Sequence, residues 1–105
     1  MPESITNKSD IIRLLKTNTK TIEGFGAKRI GLFGSYQRNQ QTYKSDIDLL
    51  IEFRSGKKNF DNFINLIIFL EDLFKTEIDL VTPESLSKSF LTRIKKEIDY
   101  VPFSK

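Results

Sequence analysis

Three aspartates and a Gly-Ser pair are the residues of this sequence whose types and spacing suggest chemistry. Asp46 follows Ser35 of the Gly34-Ser35 pair by eleven residues, and one isoleucine separates Asp46 from Asp48. Asp79 lies in a second apolar segment, EIDLV. Because side chains alternate between the faces of a strand, Asp46 and Asp48 are expected to share one face. Two carboxylates at that spacing repel each other by about 2 to 3 kcal/mol, so they need a compensating cation.

A divalent metal ion is one such cation. Hard carboxylate oxygens in an Asp-x-Asp pattern suit Mg²⁺ or Mn²⁺. If the segment containing Asp79 forms a strand beside the one containing Asp46 and Asp48, the three acids can form a site for two metal ions. Two such ions stabilise the attacking and leaving oxygens of an in-line phosphoryl displacement.

The Gly-Ser pair and two basic residues could supply the other half of a phosphate site. Gly34 is predicted to follow a strand and to precede a short helical turn, so that backbone amides and the Ser35 hydroxyl can face an anion. Glycine has no Cβ, which lets the chain approach a triphosphate closely. Arg38 and Lys44 are candidate charge partners for the phosphates.

Each feature also has a simpler explanation. A Gly-Ser pair is commonly only a turn, and Arg38 and Lys44 taken singly are typical of solvated surface charges. In a structural alternative, Lys28, Arg29 or Lys44 neutralises the acids and no ligand binds. The order of strand, Gly-Ser, Asp-x-Asp and a later strand acid is nevertheless a much narrower pattern than any of its parts.

Composition limits the classes of function. The 105 residues are enough for one domain, and 38% hydrophobic with 30% charged residues is normal for a soluble globular protein. The absence of histidine and cysteine excludes a Ser-His-Asp triad, histidine-ligated zinc and disulfides. The net charge of +3 is too small to predict nucleic-acid binding. Without a signal-peptide pattern or a long apolar run, we expect a cytoplasmic protein that neither spans a membrane nor is exported.

The pattern of elements predicts an α+β fold in which a small mixed sheet of about three strands is covered by helices on one face. The last helix is expected to open with Thr82 as its cap and Pro83 at its first position. Its inward-facing residues are predicted to be Leu86, Phe90, Leu91, Ile94 and Ile98. The other predicted elements are a helix over 9–23, strands over 28–33, 46–53 and 77–81, and a mostly buried helix formed by FDNFINLIIFLEDLF.

The stretch GLFGSYQRNQQTYKSDIDLLIEF, residues 31–53, resembles the G-S-x-A-R-G…S-D-[IL]-D-L motif of the minimal nucleotidyltransferases, small members of the DNA polymerase β-like superfamily. The likeness continues through the segments FINLIIFLEDLF, EIDLVTPESL and RIKKEIDYV, so it covers nearly the whole chain. The resemblance implies a single minimal nucleotidyltransferase domain over residues 1–105.

The resemblance also implies roles for the site residues. Gly34 and Ser35 would hold the β and γ phosphates of a nucleotide, which Arg38 would steady. The catalytic and metal-binding residues would be Asp46, Asp48 and Asp79, which would ligate two Mg²⁺ ions, with Mn²⁺ as a substitute. The implied activity is transfer of a nucleoside monophosphate from a nucleoside triphosphate, with ATP expected, to a hydroxyl group, with release of pyrophosphate.

Proteins similar to this one commonly act as antitoxins that adenylylate a tyrosine of a HEPN-type ribonuclease toxin, so the resemblance implies a toxin partner. Two departures from the family motif leave an alternative open, because this chain has Gln37 where alanine is usual and Asn39 where glycine is usual. The alternative is a binding module that neutralises its partner by contact, with weak or lost catalysis. Base preference, acceptor and oligomeric state do not follow from the sequence.

Overall fold

A computed structural model describes residues 7–42 and 45–103. Its helices and strands alternate in an order close to the predicted one. The helices are α1 (Lys8–Thr17), α2 (Thr19–Gly24), α3 (Gly34–Gln37), α4 (Phe60–Phe74) and α5 (Lys88–Glu97), with a 3₁₀ helix over Pro83–Ser85. The strands are β1 (Ala27–Phe33), β2 (Ile47–Phe53), β3 (Ile78–Val81) and β4 (Asp99–Val101).

Within the described residues the strands form one mixed sheet in the order β3-β2-β1-β4. Strand β1 is antiparallel to both of its neighbours, whereas β2 and β3 run parallel. A parallel pair needs a crossover connection, and the 15-residue helix α4 provides it. The α+β class is therefore confirmed, with an edge strand, β4, beyond the three that the sequence predicted.

The helix boundaries follow their capping residues. The side chain of Asn59 accepts a hydrogen bond from the backbone of Asn62 and so begins α4. The expectation that Thr82 and Pro83 begin the last helix is wrong, because Pro83 opens only the short 3₁₀ turn. Helix α5 begins at Lys88, and the Ser87 hydroxyl is its cap. The predicted helix over 9–23 is two helices, which break at residue 18.

Helices cover both faces of the sheet, so the expectation of one covered face is wrong. Alternate residues of β1, β2 and β3 pack with α1, α2 and α4 in the larger core cluster. The intervening residues face α5, and Phe33, Leu50 and Ile94 form a second, smaller cluster there. Phe90 was predicted to face inward but is 41% exposed. No helix in the described part of the chain combines the length and hydrophobicity needed to cross a bilayer.

Candidate active site

Two of the predicted acids are neighbours across the parallel strand pair. Strands β2 and β3 place Asp48 directly opposite Asp79 in the register. The alternation of the strands puts both acids on the face that α5 covers, because Ile47 and Leu49 point into the larger core. Asp46 precedes β2 and is exposed. We assumed from the sequence that the strand carrying Asp79 lies beside the one carrying Asp48, and the structure confirms this.

The carboxyl group of Asp48 is perturbed by its surroundings. Burial, followed by the negative charge of Asp79, raises the pKa of Asp48 from 3.8 to about 6. A hydrogen bond with Asp79 and the charge of Asp46 also contribute to this rise in the pKa, and the positive charge of Arg38 opposes it. The site therefore holds a crowded negative charge that a bound cation would relieve.

Gly34 stands immediately beside this acid. Its φ of +81° lies in the left-handed region that favours glycine. A Cβ built on Gly34 would lie 2.8 Å from Cγ and 3.0 Å from Cβ of Asp48. Glycine is thus required here for two independent reasons, the backbone conformation and the close approach of Asp48. The Gly-Ser turn and the Asp-x-Asp strand form one site.

Glu97, which the sequence analysis did not predict for the site, bonds to the groups that were expected to bind phosphate. The backbone N–H of Gly34 donates a hydrogen bond to Oε2 of Glu97 at 3.2 Å. Nη1 of Arg38 lies 3.1 Å from Oε2 and 3.3 Å from Oε1 of the same carboxylate. The last residue of α5 therefore partly neutralises Arg38 and takes up an amide of the Gly-Ser turn.

These groups line one open cleft of about 560 Å³ between the sheet and α5. Of the predicted site residues, Gly34, Ser35, Arg38, Asp48 and Asp79 line it. Asp46 does not line the cleft, and Lys44 lies outside the described residues. The other lining residues, none predicted for the site, are Phe33, Val81, Phe90, Arg93, Ile94, Lys96 and Glu97.

The cleft has the donor chemistry of a magnesium site but not a complete ligand cage. Among residues 7–42 and 45–103, no three His, Cys, Asp or Glu side chains form a group that could hold a metal ion. Mg²⁺ is commonly bound by one or two carboxylates, with water and substrate phosphates supplying the other ligands. The adjacent Asp48 and Asp79, whose crowding raises the pKa of Asp48, fit that mode of binding.

The two departures from the expected motif are accommodated outside the cleft. Asn39 has a φ of +57°, so it adopts the left-handed conformation that its short polar side chain tolerates. Gln37 directs its side chain to β4, where Nε2 donates to Oδ2 of Asp99 at 3.3 Å. Neither residue lines the cleft.

One of the bases proposed in the structural alternative is engaged elsewhere. The guanidinium of Arg29 pairs with Glu52 at 2.8 Å and stacks over the ring of Tyr100. Lys28 is exposed on the same strand, with no ion pair in the described part of the chain. Arg38 is the base whose charge acts on Asp48. Among the described residues, neither Lys28 nor Arg29 therefore neutralises the acid pair in the way that the alternative requires, and Lys44 lies outside them.

With this geometry established, comparison with known proteins defines the class. The sequence profile of the nucleotidyltransferase domain matches residues 12–103. A candidate protein adenylyltransferase of Methanocaldococcus jannaschii is 33% identical over 96 residues, which are 89% of this chain and 96% of that protein. The protein adenylyltransferase MntA of Thermococcus cleftensis is 34% identical over 93 residues, which are 88% and 93% of the two chains. The chain belongs to the nucleotidyltransferase domain family, and both of these relatives carry the name of a protein adenylyltransferase.

Solved structures agree with this assignment. A minimal nucleotidyltransferase superposes with a TM-score of 0.70 at 25% identity, covering 84% of this chain and 93% of the other. A mutant of a toxin–antitoxin complex called MntA-HpeT gives a TM-score of 0.60 at 25% identity, with coverage of 94% and 74%. A toxin–antitoxin structure with AMP-PNP, at 24% identity and a TM-score of 0.64, supports the fold alone and covers 92% and 73%.

Proposed function

We propose that this protein transfers AMP from ATP to a hydroxyl group of a partner protein, in a reaction that depends on Mg²⁺. The observation that carries the proposal is the in-register pair of Asp48 and Asp79 beside the Gly34 turn in one open cleft. Carboxylates gathered next to a phosphate-binding turn fit phosphoryl transfer, in which positioning and electrostatic stabilisation supply most of the catalysis.

In this proposal Asp48 and Asp79 would hold Mg²⁺, or Mn²⁺ in its place, and Asp46, which precedes β2, would add negative charge and a ligand for a second ion. The metal ions supply charge neutralisation at the phosphate oxygens. Ser35 and the Gly34 turn position the β and γ phosphates.

The proposed reaction is a single displacement at the α phosphorus of ATP. The acceptor oxygen forms a bond to that phosphorus, the bond to the bridging oxygen breaks, and pyrophosphate leaves with that oxygen. Asp79, exposed at the edge of the cleft, accepts the proton of the acceptor hydroxyl.

We further propose that the acceptor is a tyrosine of a HEPN-type toxin and that the chain acts as its antitoxin in the cytoplasm, where ATP is available. Support comes from the relatives named protein adenylyltransferase and from the toxin–antitoxin complexes of similar fold. The open cleft leaves room for a side chain presented by another protein.

The test is transfer itself. The purified chain, ATP, Mg²⁺ and a candidate HEPN-type toxin should yield a toxin whose intact mass increases by one AMP, located on a tyrosine by peptide mapping. Asp48→Asn and Asp79→Asn should abolish the increase, whereas the matched control Glu77→Gln, an exposed acid just before β3, should leave it unchanged. Unmodified toxin with every nucleoside triphosphate would refute the proposed reaction.

A contact-only antitoxin is the second candidate, and one observation favours it. Glu97 already occupies the Gly34 amide and pairs with Arg38, so the groups expected to bind phosphate are not open. If this hypothesis is correct, the double variant Asp48→Asn with Asp79→Asn should neutralise the toxin as well as the wild-type protein does. Loss of neutralisation, with toxin binding intact by size-exclusion chromatography, would favour catalysis instead.

A further inference from the structure

The charges that line the cleft are divided between its two walls. The sheet contributes the carboxylates of Asp48 and Asp79, and α5 contributes the cations Arg93 and Lys96 together with the carboxylate of Glu97. Arg38, which the sequence suggested as the partner of the triphosphate, already pairs with Glu97. The cations on α5 therefore carry the part of the positive charge in the cleft that is not offset by a neighbouring carboxylate.

Arg93 and Lys96 are also available to a ligand. Both are exposed, and in the part of the chain that the structure describes neither side chain has an ion pair or a hydrogen-bond partner. They are three residues apart on one helix, so their side chains lie on neighbouring positions of one face, about 4.5 Å apart along the helix axis. An ammonium and a guanidinium at this separation can contact successive phosphate groups of one polyphosphate.

We propose that Arg93 and Lys96 form the binding subsite for the polyphosphate tail of the nucleotide, across the cleft from the carboxylates. The inference rests on the proposed function. It assigns binding of the nucleotide's phosphates to α5 instead of to Arg38. A ligand that meets carboxylates on one wall and cations on the other is one that brings both a divalent ion and several negative charges. A nucleoside triphosphate with its magnesium ion has that composition.

The helix also offers a matched control. Lys95 is basic, exposed and next to Lys96, but it does not line the cleft. A substitution of Lys95 changes the net charge of the protein and of α5 by the same amount as a substitution of Lys96. Any difference between the two variants therefore reports position, not overall charge.

The experiment is isothermal titration calorimetry with Mg²⁺ and ATP, with inorganic tripolyphosphate and with AMP. We expect Arg93→Ala with Lys96→Ala to weaken binding of ATP and of tripolyphosphate about tenfold or more. Lys96→Ala alone should weaken both more than its charge-matched control Lys95→Ala, which should change either by less than about twofold. AMP, which lacks the β and γ phosphates, should bind the wild type and the double variant equally. Arg93→Lys should retain most of the affinity for ATP, and melting temperatures should show that all variants fold.

The outcomes separate the inference from the proposed function. If the wild type binds ATP and the double variant binds it equally well, the subsite is wrong and the proposed function stands. An equal loss in Lys95→Ala would also overturn the subsite, because the effect would then be general charge attraction. If the wild type binds neither ATP nor tripolyphosphate, both proposals fail.

Discussion

Replacement of Asp79 by asparagine should stabilise the metal-free protein above pH 6. The pKa of Asp48 is raised from 3.8 to about 6, first by burial and then by the charge of Asp79, so its ionisation opposes folding. Between these two pH values the folded state binds more protons than the unfolded state, and stability falls as pH rises. The penalty is complete above about pH 6. Asparagine at position 79 removes one of its causes.

The size of the effect follows from the pKa shift. One unit corresponds to about 1.4 kcal/mol, which sets an upper bound of about 3 kcal/mol for the whole shift of Asp48. Asp48 is only half-buried, so solvent screening reduces this figure, and burial, its largest single cause, remains after Asp79 is replaced. We expect Asp79→Asn to gain about 0.5 to 1 kcal/mol, or about 2 to 5 °C in melting temperature for a domain of this size.

The assay is thermal unfolding with EDTA at pH 8 and at pH 4. The gain of Asp79→Asn should be present at pH 8 and absent at pH 4, where Asp48 is protonated in both proteins. Glu77→Gln removes a nearby exposed carboxylate and should change neither value by more than about 1 °C. An unchanged or lower melting temperature at pH 8, or a gain that persists at pH 4, would refute the reasoning. With Mg²⁺ in place of EDTA the wild type should recover most of the difference, because the cation offsets the same repulsion.

Three further outcomes are expected. Glu97→Gln removes the carboxylate that accepts a hydrogen bond from the Gly34 amide, so binding of ATP with Mg²⁺ should tighten about three- to tenfold by calorimetry. Weaker binding would mean that this carboxylate instead holds the Gly34 turn in place. Gly34→Ala should cost about 2 kcal/mol or more in denaturant unfolding because its Cβ would collide with Asp48, whereas Gly24→Ala, with open space around it, should not destabilise the protein. Asn39→Val should cost about 1 kcal/mol or more at a φ of +57°, with Asn39→Gly tolerated.

The position of Asp48 beside Asp79 was predictable because it depends on local alternation and the pairing of two strands. The Asp-x-Asp pattern lies at the start of β2, and only one assumption, that β3 is its neighbour, was needed to bring Asp79 beside Asp48. The left-handed conformation of Asn39 is one that this residue type tolerates, so the loss of the usual glycine does not disturb the turn. Strand β4 has only three residues and no periodic signal, so its pairing with β1 could not be read from the sequence.

The surroundings of the groups expected to bind phosphate depend on where helix α5 lies. Glu97 meets Gly34 and Arg38 across about 60 residues of chain, and nothing in the local sequence marks that contact. The available signal was the spacing of Arg93 and Lys96 on one face of α5, but an exposed basic pair on a helix is usually only solvated. Once α5 packs on the face of the sheet that carries the acids, the same spacing places both cations opposite them. The packing of α5 on the sheet is thus what brings two ordinary surface charges into the cleft. The alanine substitutions on α5 test whether these charges bind the nucleotide.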